Sequence, residues 1–458
     1  MAVAVLCGLA LLVLLWRAVR VRKSLYFYKV HADSNYDFSR ARAREIRVQI
    51  RGGNLLLASK GSADEAIFAA IRVRATLLGH WFEPRMEIEC GSQKLAQAFE
   101  RGGAGLRYVN LSSLEVREET AIRLNGRFLK IEDQAATLYY LPSDLDLDRQ
   151  RILLISPHPD DAEIAAFGLY CNRDAYVLTV TAGEGGGPED LGAFAVFGEN
   201  AHFEKGRTRV WNSLAVPSLG GLSADRSANL GYFDETLQAM QQKPNVPVAS
   251  SHTSARGLDA FGQAASAPWV ISRAAREATW DNFVADLVHV IQQVNPGVIV
   301  APYPRLDGHL DHKMSTAALL EAMRTLGWAK GSLLLYTNHS VSSFWYPYGR
   351  AGDVVSLPPV GEGVLFDGVL SFALNGDEQL RKCLALDAMN DLRPAIPSVS
   401  VAAALGLLWR ALRTAFTGDD QSYFRRAVRR NELFFEVKAS SLYEPGATEA
   451  ILGTVPAP

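Results

Sequence analysis

The stretch Ile152-Leu153-Leu154-Ile155-Ser156-Pro157-His158-Pro159-Asp160-Asp161 joins an apolar run directly to a polar cluster. Four leucines and isoleucines ending in small and turn residues read as a buried strand. The arrangement recurs where Val298-Ile299-Val300-Ala301 is followed by Asp307-Gly308-His309-Leu310-Asp311-His312. Both clusters therefore fall where strands end, and in open α/β sheets that edge is where ligands and reacting groups collect. Imidazole together with carboxylate suits a borderline divalent ion such as Zn2+.

Working outward, strands alternate with helical segments from Arg151 onward. Tyr176 to Thr181 reads as a second strand, and Phe283, Leu287, Ile291 and Val294 mark one face of a helix leading into Val298. Such alternation predicts an α/β domain over residues 151–440, a mostly parallel, Rossmann-like sheet with helices on both faces. The stretch from Gly185 to Asp281 is rich in Gly, Ser and Ala and is expected to form loops around the site. Ahead of this domain, Ile46 to Ile50, Met86 to Glu89 and Thr120 to Leu124 alternate apolar and polar residues between turn signals. They predict a small antiparallel β-domain over residues 44–141, sandwich-like, joined through the acidic linker Ser143 to Asp148.

Residues Ala2 to Trp16 are uncharged and apolar, and Arg17, Arg20, Arg22 and Lys23 follow. A full span needs about 20 apolar residues, which this run reaches if Ala18, Val19 and Val21 extend it past a snorkelling Arg17. No basic residue precedes the run and no small-residue cleavage site follows it, so residues 1–23 read as an anchor rather than a cleavable leader. The positive-inside rule then predicts a single pass in the cell (inner) membrane with the rest of the chain cytoplasmic. A second apolar pattern, Val401 to Phe416, could lie in the membrane interface or pack in a core.

The chain has 458 residues, enough for about two or three domains, with 47 basic against 49 acidic side chains. That balance argues against a nucleic-acid partner. Its four cysteines are scattered without paired spacing, which fits a reducing compartment.

The spacing within the clusters carries chemistry. With a helix starting near Asp160, His158 lies at its entry and Asp161 one turn on, while His309 and His312 are likewise three apart. Two His and one Asp make three protein ligands and leave a fourth position open, the catalytic rather than the structural arrangement of zinc. Asp160, beside a ligand, is then the natural general base. His309 is left to stabilise an oxyanion or to protonate a departing amine. A lone His-Pro-Asp-Asp could be a capped turn and a lone His-x-Asp-His a polar helix start. Both together, each after a strand, point past those readings.

These motifs resemble the signatures of the PIG-L or LmbE-like de-N-acetylases. That group contains N-acetylglucosaminyl-phosphatidylinositol deacetylase and the bacterial deacetylases of mycothiol and bacillithiol synthesis. Its strand followed by H-P-D-D-[AE]-E is matched by His158 to Glu163, and its H-x-D-H by His309 to His312. The resemblance implies His158, Asp161 and His312 as metal ligands, Asp160 as general base and His309 as the second catalytic imidazole, in agreement with the spacing. Thr181 to Glu184 is similar to the family's T-x-G-E, and Leu230 to Asp234 to its L-G-Y-x-D, which implies Asp234 in sugar binding. Weaker echoes are Lys382 to Asn390 and Glu432 to Phe434. The likeness runs from Arg151 to Val437, departing at Ala165, Leu310 and Met389, where many members have glycine, proline and histidine. Asp307, Asp311 and Glu184 are expected to support the ligands from behind. Arg207 and Arg209 could anchor an acidic group of the substrate or lie on a solvated helix face.

The expectation is thus a membrane-anchored hydrolase, dependent on Zn2+ or another divalent ion, that removes acetyl from an N-acetylated amino sugar. The anchor favours a lipid-linked or polysaccharide-precursor N-acetylhexosamine, with glycan-assembly proteins as possible partners. A small soluble GlcNAc conjugate is the alternative substrate. A noncatalytic glycan-binding protein with a vestigial metal site is the rival of another class.

Overall fold

The computed structural model describes residues 25–57, 65–114, 120–187, 190–262, 267–271, 276–359, 361–389, 392 and 423–453, together with Gly8. The expected anchor, Gly8 apart, and the apolar pattern Val401 to Phe416 lie outside the described residues. Among the described residues no helix is long and apolar enough to cross a membrane.

The first sheet comprises β1 (Arg44–Arg51), β2 (Asn54–Leu57), β3 (Ala66–Ala75), β4 (Arg85–Cys90), β5 (Gln93–Ala98), β6 (Ala104–Asn110), β7 (Thr120–Arg127), β8 (Leu129–Ile131) and β9 (Gln134–Leu141). Its order is β5-β4-β7-β2-β1-β9-β3-β6, with β8 on β3. Every pairing is antiparallel. The strands expected as a sandwich-like β-domain form one nine-stranded, hydrogen-bonded sheet. Ile88 of β4 and Val109 of β6, from strands near opposite ends of the order, share one core with Ile50, Ile71 and Ile122, so the sheet folds over its own apolar face. Side-chain alternation identifies that buried face but carries no information on which strand pairs with which.

The second sheet comprises β10 (Ile152–Ser156), β11 (Ala175–Thr181), β12 (Ser227–Tyr232), β13 (Val298–Pro302), β14 (Ser332–Tyr336), β15 (Gly368–Ala373) and β16 (Asn431–Lys438), in the order β12-β11-β10-β13-β14-β16-β15. The first five are parallel, and β16 lies antiparallel between β14 and β15. Among the described residues the helices that flank this sheet or frame its edge include α1 (Asp161–Tyr170), α2 (Ala201–Ala215), α3 (Leu237–Gln242), α4 (Trp280–Val294), α5 (Leu310–Leu326) and α6 (Gly376–Ala388). Alternate strand residues separate into two cores. Leu153, Ile155 and Ile299 pack with Phe283 and Leu287 of α4, whereas Ile152, Leu154 and Val300 pack with Phe167 of α1 and Leu386 of α6. Helices thus cover both faces, and a strand buried on both sides reads as a continuous apolar run.

The expectation of loops between Gly185 and Asp281 is corrected, because the segment holds α2, β12 and α3. Strand β12, Ser-Ala-Asn-Leu-Gly-Tyr, contains no β-branched residue, so its composition gives little strand signal.

The two sheets share a core. In β3, Ile67, Ala69, Ile71 and Val73 face the first sheet's interior, whereas Ala66, Phe68 and Ala70 join the core of the second. Tyr36 and Phe38 complete the joint: the Phe38 ring lies 4.4 Å from that of Tyr139, and the Tyr36 ring stacks 6.1 Å from that of Phe435.

Candidate metal centre

The five parallel strands run third, second, first, fourth and fifth in chain order, so the connections change sides between β10 and β13. A crevice at the carboxyl ends of strands is expected at such a switch point. Both polar clusters lie there, at the ends of β10 and β13. Ser156 ties strand to helix: its hydroxyl donates to the carbonyl of His158 (2.6 Å) and accepts the amide of Ala162 (3.1 Å). Asp160 is the N-cap residue of α1 but makes no side-chain cap; its Oδ1 instead accepts from Arg209 Nη2 of α2 at 3.1 Å. His309 caps α5, its Nδ1 accepting the Asp311 amide at 3.3 Å.

Three donor atoms converge. His158 Nδ1 and Asp161 Oδ2 are 3.2 Å apart, Asp161 Oδ2 and His312 Nε2 3.1 Å, and His158 Nδ1 and His312 Nε2 3.3 Å. Tetrahedral bonds of about 2.0–2.1 Å to zinc place ligand atoms roughly 3.3–3.4 Å apart, so these atoms need only a small outward shift to hold such an ion. Each imidazole turns its other nitrogen to a carboxylate. His158 Nε2 meets Asp234 Oδ1 at 3.0 Å, and His312 Nδ1 meets Asp307 Oδ2 at 3.0 Å. A carboxylate behind a histidine fixes the tautomer, leaving the lone pair of the inner nitrogen facing the centre.

The electrostatics favour positive charge at this point. Burial opposes protonation of His158, but Asp234, Asp161 and Asp311 hold it well above the ordinary imidazole value. Burial likewise opposes charge on His312, and Asp161 with Asp307 push it up to about 10. Burial would raise the Asp161 carboxyl, yet His312 and His158 hold it well below the carboxylate range. His309 moves the other way: burial, then the positive character of His158 and His312, lower it to about 3. A divalent cation among these carboxylates would meet the same field.

Supporting contacts surround the cluster. Asp307 Oδ1 accepts the His309 amide at 3.0 Å, and its Oδ2 accepts the amides of Asn338 and His339, each at 3.1 Å. Asp311 Oδ2 accepts the Glu235 amide at 2.7 Å and lies 3.6 Å from His158 Nε2. Glu184 accepts from the Asp234 amide (3.2 Å) and from Ser250 Oγ (2.8 Å). Asp307 and Asp311 thus lie against the histidines, and Glu184 one contact further out, beside Asp234.

The three residues expected to touch substrate are placed differently from one another. Asp234, expected in sugar binding, is buried, with Oδ1 turned to His158 and Oδ2 accepting the Gly185 amide at 3.1 Å. Arg207 is exposed and pairs with Glu204, because two residues along a 3.6-residue helix carry it to the other side from Arg209. Arg209 is buried, bridging Asp160 and the Gly183 carbonyl (3.1 Å).

Asn338 and His339 were not singled out by the sequence. Asn338 Nδ2 donates to Asp161 Oδ1 at 2.7 Å, and the His339 ring lies 4.9 Å from that of His312. His339, Asp161 and His312 also form one of the groups able to hold an ion. The available signal was positional: Thr337-Asn338-His339 follows the apolar β14 as the two motifs follow β10 and β13. Of the weaker echoes, Lys382 Nζ meets Glu432 Oε1 at 2.7 Å, and Glu432 accepts the amides of Gly168 and Leu169, pinning α1 in place.

Fold and site together define a doubly wound α/β domain with a buried His–Asp cluster at its switch point. Residues 153–323 match the GlcNAc-PI de-N-acetylase (PIG-L) family and are a domain of it. No curated protein matches the chain. Among solved structures, teicoplanin deacetylase Orf2 in its zinc-inhibited form is similar at 15% identity and a TM-score of 0.33, covering 62% of this chain and 97% of that one. GalB, the 4-carboxy-2-hydroxymuconate hydratase of Pseudomonas putida KT2440, is similar at 13% identity and a TM-score of 0.32, covering 62% and 94%.

Proposed function

We propose that the chain is a membrane-anchored, Zn2+-dependent hydrolase that removes the acetyl group from an N-acetylated amino sugar carried on a lipid. The observation that carries this reading is the convergence of His158 Nδ1, Asp161 Oδ2 and His312 Nε2 within 3.3 Å of one another, with a carboxylate behind each imidazole. These three side chains would hold the ion. When bound, it supplies Lewis acidity, polarising the acetamide carbonyl and lowering the pKa of a water toward about 7.

The remaining steps fall to this chain's own residues. Asp160, held by Arg209, takes the proton of the attacking water. The Asp311 amide donates to His309 Nδ1, which assigns the His309 proton to Nε2. That N–H is available to the oxyanion that forms as the carbonyl carbon becomes tetrahedral. As the intermediate collapses, Asp160 passes the proton taken from water to the sugar nitrogen, the C–N bond breaks, and acetate and the free amine of the sugar leave.

The anchor reading rests on Ala2 to Trp16 and the basic residues after it, which favour a single pass with the catalytic domain on the cytoplasmic side. A sugar on a lipid carrier, delivered by glycan-assembly proteins, would meet the site there. The test is acetate release from lipid-linked N-acetylglucosamine by the full chain in membranes. Release abolished by a chelator and restored by Zn2+ is expected. Activity only on a water-soluble N-acetylglucosaminide would replace the lipid-linked substrate, and metal-independent binding without release would replace the enzyme by a glycan-binding protein.

A further inference from the structure

A cleft of about 470 Å3 opens beside His309 and His339 and ends at a rim formed by Phe27, Val341 and Phe344. Its size falls in the range of ligand clefts. The rim is apolar and uncovered among the described residues: Phe27 is 57% exposed, Phe344 63% and Val341 37%, and the two phenylalanine rings meet edge to face at 5.1 Å. Large apolar side chains clustered at a cleft mouth call for a partner surface.

The chain itself indicates that surface. Phe27 stands four residues after Lys23, the last residue of the basic flank, and four residues span at most about 14 Å. With that flank at the headgroups, Phe27 lies at or next to the membrane interface. Two exposed rings meet at this place, Phe27 on the segment leaving the flank and Phe344 on the loop beneath, whereas Tyr26 and Tyr346 beside them pack inward. Exposed apolar rings at that depth suit the boundary between headgroups and acyl chains. The two segments are joined, the Phe27 amide donating to the Ser342 carbonyl at 2.9 Å and Ser343 Oγ to the Leu25 carbonyl at 2.7 Å. That loop continues directly from Asn338 and His339. Lys313, which is buried, and Arg426, which donates to the Phe344 carbonyl, also line the cleft.

We infer that the Phe27–Val341–Phe344 rim rests on the bilayer, so that the N-acetylated sugar of a lipid-linked substrate enters the centre laterally from the membrane surface. The inference rests on the proposed membrane-anchored deacetylase, and its test separates the two. The full chain, with p-benzoylphenylalanine incorporated in place of Phe344, is reconstituted in phosphatidylcholine–phosphatidylglycerol vesicles and irradiated. Photoadducts to phospholipid are expected at this position and not at Leu56, an exposed leucine of the nine-stranded sheet. Acetate release is read in the same vesicles supplemented with lipid-linked N-acetylglucosamine. Lipid adducts without acetate release would keep the surface and reject the chemistry. Acetate release with no lipid adduct, with equal adducts at both positions, or with cross-links only within the chain would overturn the surface alone. A chain that fails to stay with the vesicles would overturn both.

Discussion

In the seven-stranded sheet five strands run parallel, so their carboxyl ends and the turns after them gather on one edge; in the nine-stranded sheet every pairing is antiparallel, and strand ends alternate between edges. Both sheets bury a well-packed apolar face. The difference lies in where polar groups are sent. Parallel topology brings residues far apart in sequence, such as Asp161, His312 and Asn338, to one point. The antiparallel sheet spreads its charges over its surface in pairs such as Lys94 with Glu89 and Arg74 with Glu132, exposed contacts worth little individually. Chemistry is therefore expected from one sheet, and support from the other.

The largest expected contrast is at the base. Asp160→Asn keeps size and shape but loses the ability to accept a proton, so acetate release should fall by about two to four orders of magnitude with metal content unchanged. Glu87→Gln, an exposed carboxylate of β4, should leave the rate alone. Equal losses in the two variants would erase the distinction between the sheets.

The joint core makes the sheets interdependent for stability while they differ in chemistry. Phe68, fully buried where β3 meets the second sheet, should cost about 3–5 kcal/mol on replacement by alanine. Urea unfolding should shift as one transition for both sheets. Two transitions, of which only one moves, would show that the halves are independent bodies.

Smaller effects are expected behind the ligands. Asp307→Asn and Asp234→Asn should each weaken metal affinity by about 10–100-fold, the usual effect of removing a carboxylate behind a ligating histidine. Undiminished affinity in both would return Asp234 to the role of a sugar contact. The smallest effect is at Arg207, where alanine should change stability by less than about 0.5 kcal/mol and leave turnover intact, in contrast to Arg209→Ala, which releases the Asp160 carboxylate. A loss at Arg207 equal to that at Arg209 would mean that the outer side of α2 takes part in catalysis.

Much of the second sheet was legible because its central strands are buried on both faces: Ile152 to Ile155 and Val298 to Ala301 have no exposed side to interrupt the run. The motif residues were legible because ligands must come after strand ends at short, fixed spacing. Strand β12 was not, since its burial comes from the neighbouring strand and helices rather than from β-forming residues. The single sheet was not legible either, because the pairing of β4 with β7, such as Met86 with Gly126, joins segments some forty residues apart that carry no mark of each other. Asn338 and His339 lack a repeated spacing, and only the pairing of β14 with β13 brings them to the centre. Arg207 and Arg209 differ only in helix phase, and nothing in their immediate sequence says which side faces the site.

The central claim is that one divalent ion is held by His158, Asp161 and His312. Elemental analysis of the purified full chain, equilibrated with Zn2+ and freed of excess, tests it most directly when set beside His312→Ala. One ion per chain in the unsubstituted protein, and well below that in the variant with an unchanged circular dichroism spectrum, is the result expected. Stoichiometric metal retained in the variant, or none bound by the unsubstituted chain, would contradict it.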